Sequence, residues 1–398
     1  MSHTFLIENL YSLWWIILSA MIAPIFALIT RRLIPDVIWL LIFGIIIGPF
    51  MLGLSESTES IEIIRELGMG FLFLLAGFEV NTSDMRNKQG KQAFLTWIFS
   101  FLFAIGICFL ITKGDVNTSI VIAIACTSTA LGTLLPILKD SKLINSNLGK
   151  ATITHGAYGE LLPIIAMSLL LSVFATWQAS IILLSFSIIS ILVVVLPIRF
   201  IRKIPLLEKA ILSASNTTMQ TTLRMTVFIL ITLMLLTAVL KLDIALGAFL
   251  AGILLNIILK AISPKQGEEI AHKIEIVGFS FLIPVFFITS GMNINLLKVL
   301  ENWQLVLILF AFIAIMRGVI VYIRERYTNT YSNLNSRKEQ LALSLYSATG
   351  LPVIVAVAGI AESSKIITTD MAGVMITSGA LTVLIFPLIA NLIMKQKN

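Results

Sequence analysis

The sequence is poor in charge. Of its 398 residues only 12% are Asp, Glu, Lys or Arg, about half the share that keeps the surface of a soluble domain wet. It is poor in cysteine as well. Cys108 and Cys126 are the two, both inside apolar blocks, so they read as small buried hydrophobes rather than as a disulfide framework. No long polar stretch interrupts the chain, and no attached soluble domain is expected. The first apolar block has no basic segment before it and runs into Arg31 and Arg32 without a small-residue cleavage site, so a cleaved signal peptide is not expected. Neither an HExxH nor a Gly-x-Ser-x-Gly string occurs. Enzyme chemistry is therefore not anticipated and no cofactor is called for. The net charge of +7 says little about nucleic acid, and no such partner is expected.

What is present is long apolar sequence. Trp14–Ile29, Phe94–Ile111, Ile181–Ile198 and Leu305–Ile323 (broken by Arg317) approach or reach the roughly 18–20 residues that cross hydrocarbon as a helix. They lack the polar stripe of a soluble helix and the alternation of a β-barrel strand. The pattern predicts an all-α polytopic membrane protein with 13 transmembrane helices. The predicted spans lie near 12–30, 37–54, 61–80, 92–112, 117–138, 150–174, 178–198, 225–241, 244–260, 276–294, 303–323, 339–361 and 370–394. Basic residues test this count, because they concentrate in cytoplasmic loops. The odd-numbered connections and the C-terminus carry 22 of the 28 Lys and Arg, the even-numbered ones 5, and Arg317 lies within a span. A missed or invented span would scramble that split. The N-terminus is thus expected outside and the C-terminus in the cytoplasm, with the chain multi-pass in the plasma membrane.

The chain also repeats itself. Span 2 reads VIWLLIFGIIIGPF and span 9 DIALGAFLAGILLN, with Gly44 matching Gly252. Span 3 ends LLAGFEVN and span 10 ITSGMNIN, matching Gly77 with Gly291. STALGTLLP in span 5 and SLYSATGLP in span 12 match Pro136 with Pro352. The ordered matches divide the chain into repeat one (1–175), a linker helix (176–200) and repeat two (224–398). Six crossings per repeat and one linking crossing turn the second repeat upside down. Inverted repeats belong to alternating-access transporters, whose substrate sits near mid-membrane between the halves.

Two helices are expected to break. Span 5 carries Thr127, Ser128, Thr129, Gly132 and Pro136; span 12 carries Ser347, Thr349, Gly350 and Pro352. Proline removes a backbone donor, glycine loosens the turn, and hydroxyls re-satisfy freed backbone groups. Two crossed broken helices would present half-helix ends to an ion. Two charges also sit deep in apolar sequence. Glu160 is ten residues from Lys150, about 15 Å of helix, and Arg317 is seven from Arg324, about 10 Å. Their depths are compatible with a meeting inside the bundle, and neither has a charged counterpart in the other repeat.

An intramembrane ionisable residue is costly and marks a functional site by default. Glu160 can hold a proton or a dehydrated metal ion, but not both, and that competition couples proton flux to cation flux. Arg317 stays charged and reads as a supporting charge. Glu79, with Asp84 near the cytoplasmic end of span 3, is a candidate to face an entry path, though a solvated helix end is the favoured reading. His155 is five residues before Glu160, about 140° around the helix, and is not expected on its face. His3 and His272 read as surface residues.

The strings LGMGFLFLLAGFEVN, CTSTALGTLLPILKD, LGAFLAGILL and IPVFFITSGMNIN together resemble the monovalent cation:proton antiporter family, in the branch of Kef-type systems and NapA-type sodium/proton antiporters. The resemblance covers nearly the whole chain. It implies 13 helices, a homodimer, a dimer domain of spans 1–3 and 8–10 and a moving core of spans 4–6 and 11–13. Where that family has Asp-Asp or Asn-Asp in mid-helix, this chain has Gly159-Glu160. Glu160 thus takes the position of the ion-binding carboxylate, and Ser128, Thr129 and neighbouring carbonyls of span 5 are implied as further ligands. Arg317 stands where the family places a basic residue, often lysine. With one carboxylate and no titratable lysine, electroneutral exchange of Na⁺, Li⁺ or K⁺ for protons is the expectation. A Kef-like potassium efflux pathway is the alternative, weakened by the lack of an expected nucleotide-binding regulatory domain and of a TVGYG-type filter. An intramembrane enzyme or scaffold is the remote one.

Overall fold

The structure is a computed structural model that describes residues 3–30, 34–80, 85, 87–170, 181, 184–186, 188, 221–240, 242–262 and 264–395. Most of span 7 with the linker region, the tail of span 6, Asp84, and the basic residues Arg31, Arg32, Arg86, Arg199, Arg202, Lys203, Lys209, Lys241 and Lys397 lie outside the described residues. Among the described residues every regular element is helical. Seven helices there are long and apolar enough to cross a membrane, and three shorter apolar ones accompany them.

In chain order the helices are α1 (His3–Ile29), α2 (Asp36–Ile47), α3 (Glu59–Glu79), α4 (Lys88–Ile111), α5 (Val116–Thr127), α6 (Leu131–Asp140) and α7 (Asn147–Leu170). Then come α8 (Thr221–Val239), α9 (Ile244–Ile262) and α10 (Pro264–Val277), which runs through a π turn (Gly278–Leu282) into α11 (Ile283–Met292). They are followed by α12 (Leu296–Glu301), α13 (Trp303–Ile313), a second π turn (Ala314–Val319), α14 (Ile320–Tyr327), α15 (Arg337–Ser347), α16 (Leu351–Ser363) and α17 (Thr369–Lys395).

Polar punctuation sets the starts. Asn87 caps α4 through Gly90 N, Asp115 caps α5 through Asn117 and Thr118 N, and Ser336 with Glu339 forms a capping box on α15. α2 ends at Ile47 with Gly48 as its C-cap, directly before Pro49, which has no N–H to continue the ladder. Residues 48–54 fold back instead, with Leu54 N donating to Ile47 O, so the expected span 37–54 is helical only in its first part.

Two compact units are recognisable. The first comprises residues 1–66, 81–163 and 284–398. Within it α17 packs against α13, α15 and α16, α4 against α5 and α14, and α5 against α16. A core of Leu134, Leu138, Leu148, Val321, Leu334, Leu343 and Tyr346 fills the end of this unit where α6, α7, α14 and α15 meet. The second comprises residues 67–80 and 164–283, in which α8 packs on α9 and α10.

Each unit contains a close glycine crossing built by the same rule. In the first, a Cβ on Gly44 would overlap Ile288 O, and one on Gly291 would overlap Leu41 O. In the second, a Cβ on Gly77 would overlap Phe249 O, and one on Gly252 would overlap Leu74 O. Each glycine therefore sits on the carbonyl three residues before its partner glycine. Backbones this close require that both partners lack a side chain. The four glycines are those matched in the sequence, and within each crossing the two glycines come from different matches.

Candidate functional site

The expected interruptions are present, in register. α5 stops at Thr127 and α6 starts at Leu131; α15 stops at Ser347 and α16 starts at Leu351. Both breaks repeat at a spacing of 220 residues. This corrects the match of Pro136 with Pro352, which are 216 apart. Pro352 is in the first turn of α16, where a missing N–H costs nothing, whereas Pro136 belongs to the backbone of α6, beyond the break. Gly132 likewise lies in the first turn of α6, with open space where its side chain would be. The break itself consists of Ser128, Thr129 and Ala130 on one side and Ala348, Thr349 and Gly350 on the other.

The two breaks bond to each other. Ala130 N donates to Thr349 O at 2.6 Å, and the Ser128 hydroxyl to Gly350 O at 3.4 Å. Gly350 permits this approach, because a Cβ there would collide with the Ser128 side chain. Thr129 N donates to Gly159 O of α7 at 2.8 Å, and the Thr129 hydroxyl donates to Ser347 O. Thr127, Ser128, Thr129, Ser347 and Thr349 are all fully enclosed.

Arg317 enters from the π turn between α13 and α14 and is 0% exposed. Its Nε donates to the Thr129 hydroxyl at 3.2 Å and to Ser347 O at 3.4 Å, and Nη2 donates to His155 O at 3.1 Å. It thus covers the carbonyl end of α15, where the helix dipole is negative. The extra residue of a π turn re-aims a side chain locally, and such turns recur at functional sites. Nη1 of Arg317 and Oγ of Ser347 are enclosed and have no hydrogen-bond partner among the described residues.

Glu160 is 2% exposed on α7, beside Gly159. A Cβ at 159 would collide with the Thr129 side chain and lie 3.0 Å from Arg317 Nη2. The side chain that the resemblance expects at this position has no room, because the threonine and the guanidinium occupy its place. Glu79 ends α3 in the second unit, half-buried. Among the described residues no group of three His, Cys, Asp or Glu is arranged to hold a resident metal ion.

Sequence reasoning missed one ionisable pair. His155 and Glu325 are 2% and 7% exposed, with Nε2 3.7 Å from Oε1. Glu325 stands between Arg324 and Arg326 and reads as part of a solvated helix end. It is enclosed because residues 328–336 fold back over it, bringing the Thr330 and Ser332 hydroxyls onto Oε2 at 2.7 and 2.6 Å. Two residues in the left-handed region, Tyr331 at φ 58° and Asn333 at φ 57°, make that return. Nothing in the local pattern marks it.

Comparison with known proteins adds the family. Residues 17–396 match the family described as sodium/hydrogen exchanger, transmembrane. Over its full length the chain is 24% identical to YjbQ of Bacillus subtilis, which bears the name of a Na(+)/H(+) antiporter, and spans 64% of that relative's length. It is 23% identical to a Na(+)/H(+) antiporter of Enterococcus hirae, over 77% of this chain and 79% of that one. The fold is that of the sodium proton antiporter MjNhaP1 from Methanocaldococcus jannaschii at pH 8, with a TM-score of 0.72, 20% identity, and coverage of 98% of this chain and 99% of the other. With crossed broken helices, enclosed charges and a match from residue 17 to 396, the chain is a multi-pass membrane protein that belongs to the sodium/hydrogen exchanger family of monovalent cation:proton antiporters.

Proposed function

We propose that this chain is a secondary antiporter that exchanges a monovalent cation, Na⁺ first, for protons by alternating access, with Glu160 holding one or the other. The observation that carries the reading is the enclosure of Glu160 beside Gly159, whose backbone is bonded to the break in the first half-helix pair and abuts Arg317. Ser128 and Thr129 are the candidates for further ligands. The Thr129 hydroxyl already donates once and accepts once, so one lone pair remains for a cation. The enclosed and unpartnered Ser347 Oγ and Arg317 Nη1 support polar space at the crossover, since such atoms in native proteins meet water or ligand.

The charge count follows from one carboxylate. Protonated Glu160 and Glu160 with a bound monovalent cation carry the same net charge, and the Arg317 guanidinium keeps its charge in both states. The moving site then carries equal charge in each direction, and exchange is electroneutral. In the same reading the chain has 13 spans in two inverted repeats, with the N-terminus outside and the C-terminus cytoplasmic in the plasma membrane, and works as a homodimer. The glycine crossings support the repeat, because replacing each glycine of the Gly44–Gly291 crossing by its match in the sequence gives the Gly252–Gly77 crossing.

The test is collapse of a proton gradient in proteoliposomes on adding Na⁺, Li⁺ or K⁺. Wild-type protein is expected to dissipate the gradient without generating a potential on a voltage-sensitive dye, and Glu160→Gln to be inactive. Full activity in Glu160→Gln removes the carrier role; a cation-dependent potential removes electroneutrality.

A further inference from the structure

The exchange mechanism leaves one buried ionisable pair unused. His155 lies on α7 five residues before Glu160, about 7–8 Å along the helix axis. Its Nε2 faces Oε1 of Glu325 at 3.7 Å, and its Nδ1 has no hydrogen-bond partner among the described residues. Oε2 of Glu325 accepts from Thr330 and Ser332, whose hydroxyls are 3.0 Å apart. Neutral hydroxyls solvate a carboxylate but do not balance its charge, and an enclosed charge needs a counter-ion.

The charged groups around the pair are few. Arg317 approaches from the π turn, but its donors go to Thr129, Ser347 and the backbone oxygen of His155 rather than to the imidazole. Arg324, next to Glu325 on α14, turns to Gln92 of α4 and over the Phe99 ring at 5.1 Å. Lys88 of α4 sits over Tyr331, in the segment that covers Glu325. On α7 itself the ionisable residues on either side are Tyr158, whose hydroxyl donates to Met85 O, and Lys150 and Glu160, each five residues away. The imidazole is thus the group aimed at the free oxygen of Glu325.

We propose that His155 and Glu325 form a second proton-binding site, in which the imidazole takes up a proton as counter-ion to the enclosed carboxylate. Its occupancy is felt at the crossover through a short route: the His155 carbonyl holds Arg317 Nη2, and Arg317 Nε holds Thr129 and Ser347. An added positive charge here opposes cation binding at Glu160. The pair is therefore a positioning and charge-setting site for exchange, not the carrier. This effect on transport rests on the antiport reading above; the proton site itself does not.

The sequence makes the site measurable, because the chain has three histidines. In full-length protein carrying His3→Gln and His272→Gln, ¹³C-labelled histidine reports His155 alone by NMR. Its resonance is expected to titrate with pH, and Glu325→Gln is expected to move the midpoint down. In proteoliposomes, one proton competing at Glu160 limits the slope of log KM for Na⁺ against pH to a tenfold change per unit. Wild-type protein is expected to exceed that slope in the window where His155 titrates, and His155→Gln and Glu325→Gln to return to it.

A His155 resonance that does not titrate over the pH range in which the protein stays folded, or whose midpoint Glu325→Gln leaves in place, overturns the proton site. A wild-type slope equal to that of both variants overturns its link to exchange. If wild-type protein shows no exchange at all, the antiport reading fails while the NMR titration still decides the site.

Discussion

The carbonyl ends of the two broken helices are finished differently. At the end of α5, Thr127 O accepts from the indole N–H of Trp97 at 3.1 Å, a neutral donor stacked on Phe101. At the end of α15, Ser347 O accepts from the Thr129 hydroxyl and from the Arg317 guanidinium. The backbones repeat at 220 residues, yet one end is closed by a neutral ring and the other by a fixed cation. The difference teaches that scaffold and chemistry are separable here. The repeated backbone builds a crossing with four enclosed helix ends, and side chains that do not repeat decide where charge sits.

The strongest way to break the comparison is to remove each closing donor. Arg317→Ala takes away the donors to Ser347 O, Thr129 and His155 O together, and is expected to destabilise the protein by about 3–5 kcal/mol, as loss of one member of a buried charged network does. Trp97→Phe keeps the ring but strips one neutral donor from Thr127 O, and about 1–2 kcal/mol is expected. Thermal unfolding in detergent, followed by intrinsic fluorescence or light scattering, ranks them. Equal costs would mean that the charge at the α15 end is incidental.

The glycine crossings sharpen the repeat with a smaller effect. Alanine at Gly44, Gly291, Gly77 or Gly252 drives a methyl into a backbone carbonyl, and each is expected to cost about 1–3 kcal/mol by overpacking. Alanine at Gly106 or Gly359, where a Cβ meets nothing within 4 Å, is expected to be neutral or to stabilise by about 0.5–1 kcal/mol. A quartet that tolerates alanine as well as those controls would sink the common packing rule.

The smallest effect lies at the capped start of α5. The hydroxyl and then the amide of Thr118 hold the Asp115 carboxyl below its ordinary value. Because the folded value is the lower one, this stabilisation is present above the unfolded value and fades as pH falls through the folded one. The unfolding temperature of wild type should therefore drop slightly more on acidification than that of Asp115→Asn. Identical acid slopes in the two proteins would remove the cap as a pH-dependent contributor.

Much of the architecture was legible one residue at a time. Apolar length marked the spans, Thr127 to Thr129 and Ser347 to Gly350 marked the breaks, and Glu160 and Arg317 stood out because charge in hydrocarbon is expensive. The glycines at 44, 77, 252 and 291 were visible as matched positions. Their contacts were not, since pairing is exchanged between the matches. Pro136 misled the register of the breaks, because a proline near an interruption is a weaker marker than the polar residues within it.

What the sequence determined alone was composition and depth: an apolar helical chain with a few ionisable groups that lipid does not tolerate for nothing. Only the tertiary structure decided which groups meet. Arg317 reached the α15 carbonyl end through a π turn, Thr129 filled the place beside Gly159, and Glu325 left solvent because the loop that follows it folded back over it. Periodicity reports a residue's local face; partners hundreds of residues apart are fixed by packing, which no local pattern encodes.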